Sequence, residues 1–232
     1  MYPGHWSKVK PNTPALIHAA SGEEVSWLEL DQRSNQVANL LQARGLKPGD
    51  HVSILMENHL SFFEIAWGAY RSGLYITCIN RYLTAEEAAY IIQDSGTQVL
   101  FTSSNLDITA ELLELIPNCP HRFIRGASSD NLDGFEDYST AVAEQATTPL
   151  AEQPAGDSML YSSGTTGQPK GIKRPLSGLD VSQGIPGVEP NNPYGLNADT
   201  VYLSPAPLYH AAPFGYCTVS YTHLRAHETR HD

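Results

Sequence analysis

Apolar and polar positions along the first part of the chain follow the periods of helices and strands in turn. Ser26 and Glu29 have the spacing of a capping box, which predicts a helix that begins there and ends at Gly45. The apolar residues of this helix fall on one face: Leu30, Val37, Leu40 and Leu41. The β-prone run 51–56 follows, so the pattern changes from a helix to a buried strand.

The same alternation continues through two more predicted helices. Ser61 is predicted to cap a helix that stops at Gly73, and Thr84 with Glu87 repeats the capping box before a helix closed by Gly96. The apolar residues of the first of these helices are predicted to share one face: Phe62, Ile65, Ala66, Ala69 and Tyr70.

Further β-prone runs at 74–79, 98–103 and 121–126 separate these helices from a fourth predicted helix at 106–116. Strands that are joined by single helices need right-handed crossovers, and they form a parallel sheet with helices on both faces. The predicted fold class is therefore α/β, a doubly wound and mostly parallel sheet with flanking helices.

Beyond the alternating region the pattern becomes less regular. Residues 127–157 are polar and predict a surface excursion with one short helix, after which 157–163 returns to a strand. A Pro/Gly-rich loop at 175–195 leads to 200–217, which predicts a buried strand, a Pro-containing turn and the start of a helix.

Composition and charge exclude several classes of protein. The 232 residues carry a formal net charge of −11, which repels a polyanion, so nucleic acid is not an expected partner. No run of eighteen apolar residues predicts a transmembrane segment, and the amino-terminal residues resemble neither a signal peptide nor an import sequence. The cytoplasm is the expected location, and peripheral membrane contact remains compatible with the sequence.

The stretch YSSGTTGQPKG, residues 161–171, combines the groups that bind phosphate. Gly164, Gly167 and Gly171 leave backbone N–H groups free to converge, and Lys170 supplies a cation, with Lys173 and Arg174 nearby. Four hydroxyls add donors: Ser162, Ser163, Thr165 and Thr166. The spacing is neither that of a Walker A loop nor GxGxxG. Residue types alone also fit a mobile Gly/Ser/Thr hairpin with a solvated lysine.

The order of these residues resembles a known signature. Residues 159–170 are similar to the phosphate loop of the adenylate-forming superfamily, the AMP-dependent synthetases and ligases. Segments 11–58 and 68–96 resemble the amino-terminal part of that family. The variants GIKRP and LSPAPLYHAAP look most like bacterial acyl-CoA synthetases, the fatty-acid–CoA ligases. The resemblance implies that residues 1–217 are a partial amino-terminal AMP-binding domain of the adenylate-forming fold.

The resemblance also implies an activity and a set of site residues. Such acid–thiol ligases activate a carboxylic acid with ATP and Mg²⁺, release pyrophosphate, and pass the acyl group from the adenylate to coenzyme A. By resemblance, Lys170 and His210 are the catalytic residues and Thr166 is the metal ligand. A helix cap near Ala211 is the alternative role for His210. The implied nucleotide-binding residues are Ser162, Ser163, Gly164, Thr165, Thr166, Gly167 and Lys170.

Other interpretations remain open at this stage. An aryl-CoA ligase or an amino-acid adenylation domain would share the same loop, and so would a non-catalytic nucleotide-binding module. The later motifs of the family, for adenine, ribose and the catalytic lysine of the carboxy-terminal domain, do not occur in this sequence. The chain alone is therefore expected to be an inactive fragment that binds ATP weakly.

The last residues, 218–232, lose the apolar pattern. Residues 219–229, VSYTHLRAHET, resemble one reading frame of transposase-adapter DNA used in sequencing libraries. A genuine exposed helical tail is the competing interpretation. We interpret the segment as a non-native tail without function, and we assign no metal site to His223, His227 and His231 despite their helical spacing.

Overall fold

The computed structural model describes residues 2–127, 134–162, 168–183, 201–219 and 224–226. The helices in these ranges are α1 (Pro3–Val9), α2 (Trp27–Ala43), α3 (Ser61–Tyr70), α4 (Ala85–Asp94), α5 (Thr109–Leu115), α6 (Tyr138–Ala143) and α7 (Ala211–Val219). The strands are β1 (Pro14–His18), β2 (Glu24–Ser26), β3 (His51–Leu55), β4 (Tyr75–Cys78), β5 (Thr97–Ser103), β6 (His121–Arg125), β7 (Glu136–Asp137), β8 (Asp157–Ser158), β9 (Leu160–Ser162), β10 (Lys170–Ile172), β11 (Tyr202–Ser204) and β12 (Leu224–Ala226).

A six-stranded sheet organises the chain, with the strand order β7-β6-β5-β3-β4-β8. Every pairing in this sheet is parallel, and Val52 of β3 aligns with Ile76 of β4 and Val99 of β5. The doubly wound α/β prediction is confirmed. The connections after β3 and β5 run in opposite directions across the sheet, so the carboxyl ends of these two strands form its topological switch point.

Two apolar cores cover the two faces of this sheet. Phe101 and Phe123, which stack with ring centroids 5.4 Å apart, belong to the core beneath α2, α3 and α6. Leu100 belongs to the other core, beneath α4 and α5. Burial on both faces explains why the strands read as continuous apolar runs rather than alternating ones.

Both predicted capping boxes are present. Ser26 accepts from the Glu29 N–H at the start of α2, and Thr84 accepts from the Glu87 N–H at the start of α4. The prediction for Ser61 is wrong, because Ser61 is the first residue of α3 and its hydroxyl hydrogen-bonds His59 Nδ1 at 2.8 Å. A hydroxyl ahead of an apolar run usually indicates a helix cap, but the hydroxyl of Ser61 is hydrogen-bonded to the His59 imidazole instead.

The apolar residues that were predicted to share one face of α3 are buried, but the rest of the helix is buried as well. All ten residues of this helix are buried, since the sheet lies on one side and α2 on the other. Gly68 permits the close approach of α2: a Cβ added there would lie 2.4 Å from Cγ1 of Val37. A helix that is surrounded in this way shows no amphipathic pattern to read.

Several predicted boundaries move. The predicted strand 157–163 is split, because β8 pairs with β4 and the chain then leaves the sheet to form β9. The fourth helix begins at Thr109 rather than near residue 106. The excursion 127–157 is not entirely a surface feature, since α6 buries Tyr138, Ala141 and Val142.

A second sheet has the order β11-β12-β1-β2, in which β12 pairs in parallel with both β1 and β11. Strand β12 lies inside the segment 218–232, for which the sequence predicts a non-native tail. Strand β11 is less buried than predicted, since the Leu203 side chain is 47% exposed.

Candidate functional site

A two-stranded hairpin joins the two ends of the glycine-rich loop. Strands β9 and β10 are antiparallel, and Ser162 lies opposite Lys170 with Tyr161 opposite Gly171. The candidate residues between them, Ser163, Gly164, Thr165, Thr166 and Gly167, lie outside the described residues. The structure therefore brings Ser162 and Lys170 together at the base of the loop.

The two loop residues that the structure describes, Ser162 and Lys170, lie at the surface and not in a core. Ser162 and Lys170 are exposed, and no carboxylate of the described residues forms an ion pair with Lys170. An exposed ammonium without a carboxylate partner suits an anionic group, because no internal ion pair must first be broken. The base of the loop thus fits phosphate in charge.

Helix α4 holds both arms of the hairpin. The Tyr161 hydroxyl donates to Asp94 Oδ2 at 2.6 Å on one arm, and the Tyr90 hydroxyl donates to the carbonyl of Pro169 at 3.1 Å on the other. Burial, together with the bond to Asp94, raises the pKa of Tyr161, so the phenol keeps its donor proton. No local pattern predicts these contacts, because they join residues far apart in the chain.

Gly171 has a packing role in addition to any role in the loop. A Cβ at this position would lie 2.3 Å from Cε of Met159 and 3.0 Å from the Tyr161 ring. The absence of a side chain at Gly171 therefore lets Met159 and Tyr161 pack directly against the backbone of β10. Lys170 precedes this contact directly, which helps to fix its backbone.

Lys173, which the sequence placed near the loop as a further cation, faces β3 and β4 instead. Its Nζ lies 2.9 Å from His51 Nε2 and 4.3 Å from the centre of the Tyr75 ring. The His51 and Tyr75 rings stack at 4.8 Å. Burial and the Lys173 charge lower the pKa of His51 to about 4, so the imidazole is neutral and accepts from the ammonium.

Arg174 is likewise held by the sheet. It pairs with the buried carboxylate of Asp157 at 2.8 Å, and its carbonyl accepts from the Tyr75 hydroxyl at 2.6 Å. Lys173 and Arg174 therefore fasten the hairpin to the sheet, and Lys170 is the cation of this stretch that remains available at the loop.

His210 lies on a separate element, at the turn before α7. Its side chain is exposed, its ring centroid is 4.5 Å from that of Tyr209, and its carbonyl accepts from the Phe214 N–H at 3.0 Å. Helix α7 begins at Ala211, where the sequence predicted a helix start, and His210 directly precedes it. Lys170 and His210 form no hydrogen bond with each other in the described part of the chain.

A polar cluster surrounds the buried carboxylate of Glu57 at the carboxyl ends of β3, β5 and β6. Glu57 Oε1 accepts from Ser103 Oγ at 3.0 Å, Asn105 Nδ2 at 2.9 Å and Arg125 Nη2 at 3.1 Å. Burial opposes ionisation, but the hydrogen bonds and Arg125 together lower the pKa of Glu57, so the carboxylate is charged. This cluster was not predicted, although Glu57 directly follows one predicted strand and Ser103 ends another.

Comparison with known proteins gives a consistent set of relatives. The family model described as AMP-binding enzyme matches residues 4–227. The fatty acid–[acyl-carrier-protein] ligase ScoC of Streptomyces coeruleorubidus is 33% identical over 164 residues, which are 70% of this chain and 30% of that protein. The long-chain-fatty-acid–CoA ligase FadD13 of Mycobacterium tuberculosis is 28% identical over 71% of this chain and 32% of its own length.

Solved structures agree with these matches. The anthranilate CoA ligase AuaEII, in complex with anthranoyl-AMP, has a TM-score of 0.66 at 27% identity and covers 73% of this chain and 33% of its own. A solved chain from Rhodopseudomonas palustris, at 18% identity and a TM-score of 0.76, shares the fold over 96% of this chain and 55% of its own. The chain spans about a third of the length of the curated relatives. None of the helices in the described ranges combines the length and apolar character of a membrane span.

Proposed function

The chain belongs to the family of AMP-binding enzymes, and we propose that it is the amino-terminal part of an ATP-dependent acyl-CoA synthetase for a carboxylic acid, most favourably a fatty acid. The observation that carries the proposal is the base of the glycine-rich loop. There Ser162 and Lys170 face each other across the hairpin, and Lys170 has no carboxylate partner among the described residues. The fatty acid ligases among the curated relatives support the substrate class.

In the proposed reaction, a carboxylate oxygen attacks the α-phosphorus of ATP and pyrophosphate leaves, which forms the acyl-adenylate. The thiol of coenzyme A then attacks the acyl carbon and AMP leaves. Both reactants of the first step are anions, so charge neutralisation and positioning carry most of the catalysis. Mg²⁺ would offset part of the phosphate charge, with Thr166 as the proposed ligand.

The residues of this chain have distinct proposed roles. Lys170 contacts the β- and γ-phosphates and stabilises the leaving pyrophosphate, while Ser162 donates a hydrogen bond from the base of the loop. Ser163, Gly164, Thr165, Thr166 and Gly167 complete the phosphate contacts. His210 lies beside the bound carboxylate, where its exposed ring reaches a substrate group without breaking an internal contact.

Two variants of this proposal have support of their own. The relative ScoC is a ligase for an acyl-carrier protein, which supports a carrier-bound thiol as an alternative acceptor to coenzyme A. The structure of AuaEII contains anthranoyl-AMP, which supports an aromatic acid as an alternative substrate. A panel of fatty and aromatic acids, each assayed with coenzyme A and with a carrier protein, separates these possibilities.

The central test uses the parent enzyme, completed by sequencing the gene beyond residue 217. We expect pyrophosphate release that depends on the carboxylic acid, and Lys170→Ala should lower its rate about a hundredfold or more because a transition-state contact is lost. Lys47→Ala is the matched control, since Lys47 is an exposed lysine in the turn before β3. A wild-type enzyme that releases no pyrophosphate with any acid would overturn the proposal.

We also propose the division of the chain into a partial AMP-binding domain, 1–217, and a non-native tail, 218–232. The adapter-like reading of VSYTHLRAHET supports this division. Independent sequencing of the same gene tests it, because recurrence of residues 219–229 there would show that the tail is native.

A further inference from the structure

Asn58 joins the carboxyl end of the central strand to the turn that carries His210. Its Oδ1 accepts from the backbone N–H of Leu208 at 2.8 Å, and its Nδ2 donates to the carbonyl of Ala206 at 3.3 Å. The two partners lie about 150 residues further along the chain. One side chain of the large sheet therefore contacts two peptide groups just ahead of the candidate catalytic histidine.

The chemistry of the amide explains why this contact orients the turn. A carboxamide presents one acceptor and one donor in a plane, which matches a peptide N–H and a C=O two residues apart. Leu208 is completely buried, so its N–H needs a partner within the protein. The His210 N–H then donates to the carbonyl of Pro207 at 3.2 Å, which closes the turn.

A second contact fixes the other side of His210. Phe214 is completely buried, and its ring lies 5.7 Å from that of Phe62 and 6.1 Å from that of Tyr70, both on α3. Helix α7 is thus packed against α3, the helix that begins three residues after Asn58. The Asn58 bonds and this aromatic contact hold the segments on either side of His210, and Asn58 and Phe62 both lie just beyond the carboxyl end of β3.

We propose that Asn58 is a positioning residue, which sets the place of His210 relative to the bound carboxylate through the backbone of residues 206–208. It contacts no substrate itself. Its effect on catalysis rests on the proposed function, whereas its effect on the turn can be measured on the 232-residue chain. The expected signature is selective: affinity for the carboxylate changes and affinity for ATP does not.

The first experiment measures the turn directly. In Asn58→Ala, hydrogen exchange at the Leu208 amide should accelerate at least tenfold, because its acceptor is gone. Asn58→Asp keeps an acceptor for Leu208 and loses the donor to Ala206, so it should protect that amide better than alanine does. Asn39→Ala is the matched control. Asn39 also binds a distant segment, since its amide donates to the carbonyls of Ala146 and Thr148, but these contacts do not involve the turn before His210.

The second experiment measures the parent enzyme. Asn58→Ala should raise KM for the carboxylic acid about tenfold and leave KM for ATP within about twofold, and Asn58→Asp should give a smaller rise. Asn39→Ala should change neither constant. Equal changes in both constants, or unchanged exchange at Leu208, would overturn the proposal. If the wild-type enzyme shows no acid-dependent pyrophosphate release, the proposed function fails, and the exchange results alone decide the role of Asn58.

Discussion

The six-stranded sheet with α2 to α5, called here the framework, differs sharply from the segments that carry the candidate chemistry. The framework has strands of four to seven residues at its centre, and two of its helices, α2 and α4, begin with complete capping boxes. The hairpin β9–β10 has three residues in each strand, and Lys170, Gly171 and Ile172 are all exposed. Short exposed strands contribute little stability of their own.

Contacts with the framework compensate for this difference. Tyr90 and Asp94 hold the hairpin, and Asn58 holds the turn before His210. Gly156 lets the chain pass directly against the sheet on its way to the hairpin, since a Cβ there would lie 2.2 Å from the Leu74 carbonyl oxygen. The exposed site residues are therefore placed by a rigid neighbour, which leaves their polar groups available for a ligand.

The largest expected effect comes from breaking the framework at its buried arginine. Arg71 is completely buried at the end of α3, pairs with Asp31 at 2.7 Å and donates to Asn35. Arg71→Ala would leave the Asp31 carboxylate without its cationic partner and should lower the free energy of unfolding by about 3–5 kcal/mol. Urea unfolding measures this change, and the hairpin should unfold with the framework in the same transition.

Arg44→Ala provides the control for this prediction. Arg44 also pairs with a carboxylate, Glu136, but both side chains are partly exposed, so the loss should stay below about 1 kcal/mol. If the two variants lose similar stability, then burial does not set the importance of these pairs, and the framework is not the stable region that the comparison requires.

The same contrast explains what the sequence could predict. The capping boxes at Ser26 and Thr84 are local signals, and both helices begin where these signals place them. The split of 157–163 could not be read in this way, because it depends on pairing with β4 and with β10. The pattern around Ser61 misled for a different, local reason: its hydroxyl hydrogen-bonds the ring of His59, two residues earlier, and not the helix.

The candidate site shows this limit most clearly. The residue types and order in 159–170 were enough to predict the family, whose model matches residues 4–227. No local pattern distinguishes Lys170 from Lys173 and Arg174, although the latter two are bound to His51 and Asp157 respectively. Such long-range partners are decided by the folded arrangement and have no local pattern.

A second prediction concerns the junction between the framework and the segment after the hairpin. The pKa of His51 is lowered to about 4, first by burial and then by the Lys173 charge, from an ordinary value of 6.5. Because His51 is protonated more easily in the unfolded chain than in the folded protein, the folded state loses stability as the pH falls from 6.5 toward 4. Between pH 6.5 and pH 4, the free energy of unfolding should therefore decrease by about 2–3 kcal/mol less in His51→Gln than in the wild type.

Urea unfolding at several pH values between 7 and 4 measures the effect, and His5→Gln, which replaces an exposed histidine, is the control. Part of the fall should persist in His51→Gln, because burial and Arg125 lower the pKa of His59 to about 4 as well. Lys173→Met should raise the pKa of His51, since a positive neighbour is removed. An unchanged pH profile in His51→Gln would show that His51 is not a neutral buried group.

The smallest expected effect tests whether a local signal of the framework acts locally. Thr84→Ala removes the hydroxyl that accepts from Glu87 N–H and should lower the free energy of unfolding by about 1 kcal/mol, whereas Thr84→Ser keeps the cap and most of the stability. Tyr90 and Asp94 lie in later turns of α4, so their bonds to the hairpin should survive. Hydrogen exchange in residues 170–172 should then match the wild type in both variants. Faster exchange in residues 170–172 of Thr84→Ala alone would mean that the hairpin depends on the start of α4. The framework would then place the site through the whole helix and not only through the side chains of Tyr90 and Asp94.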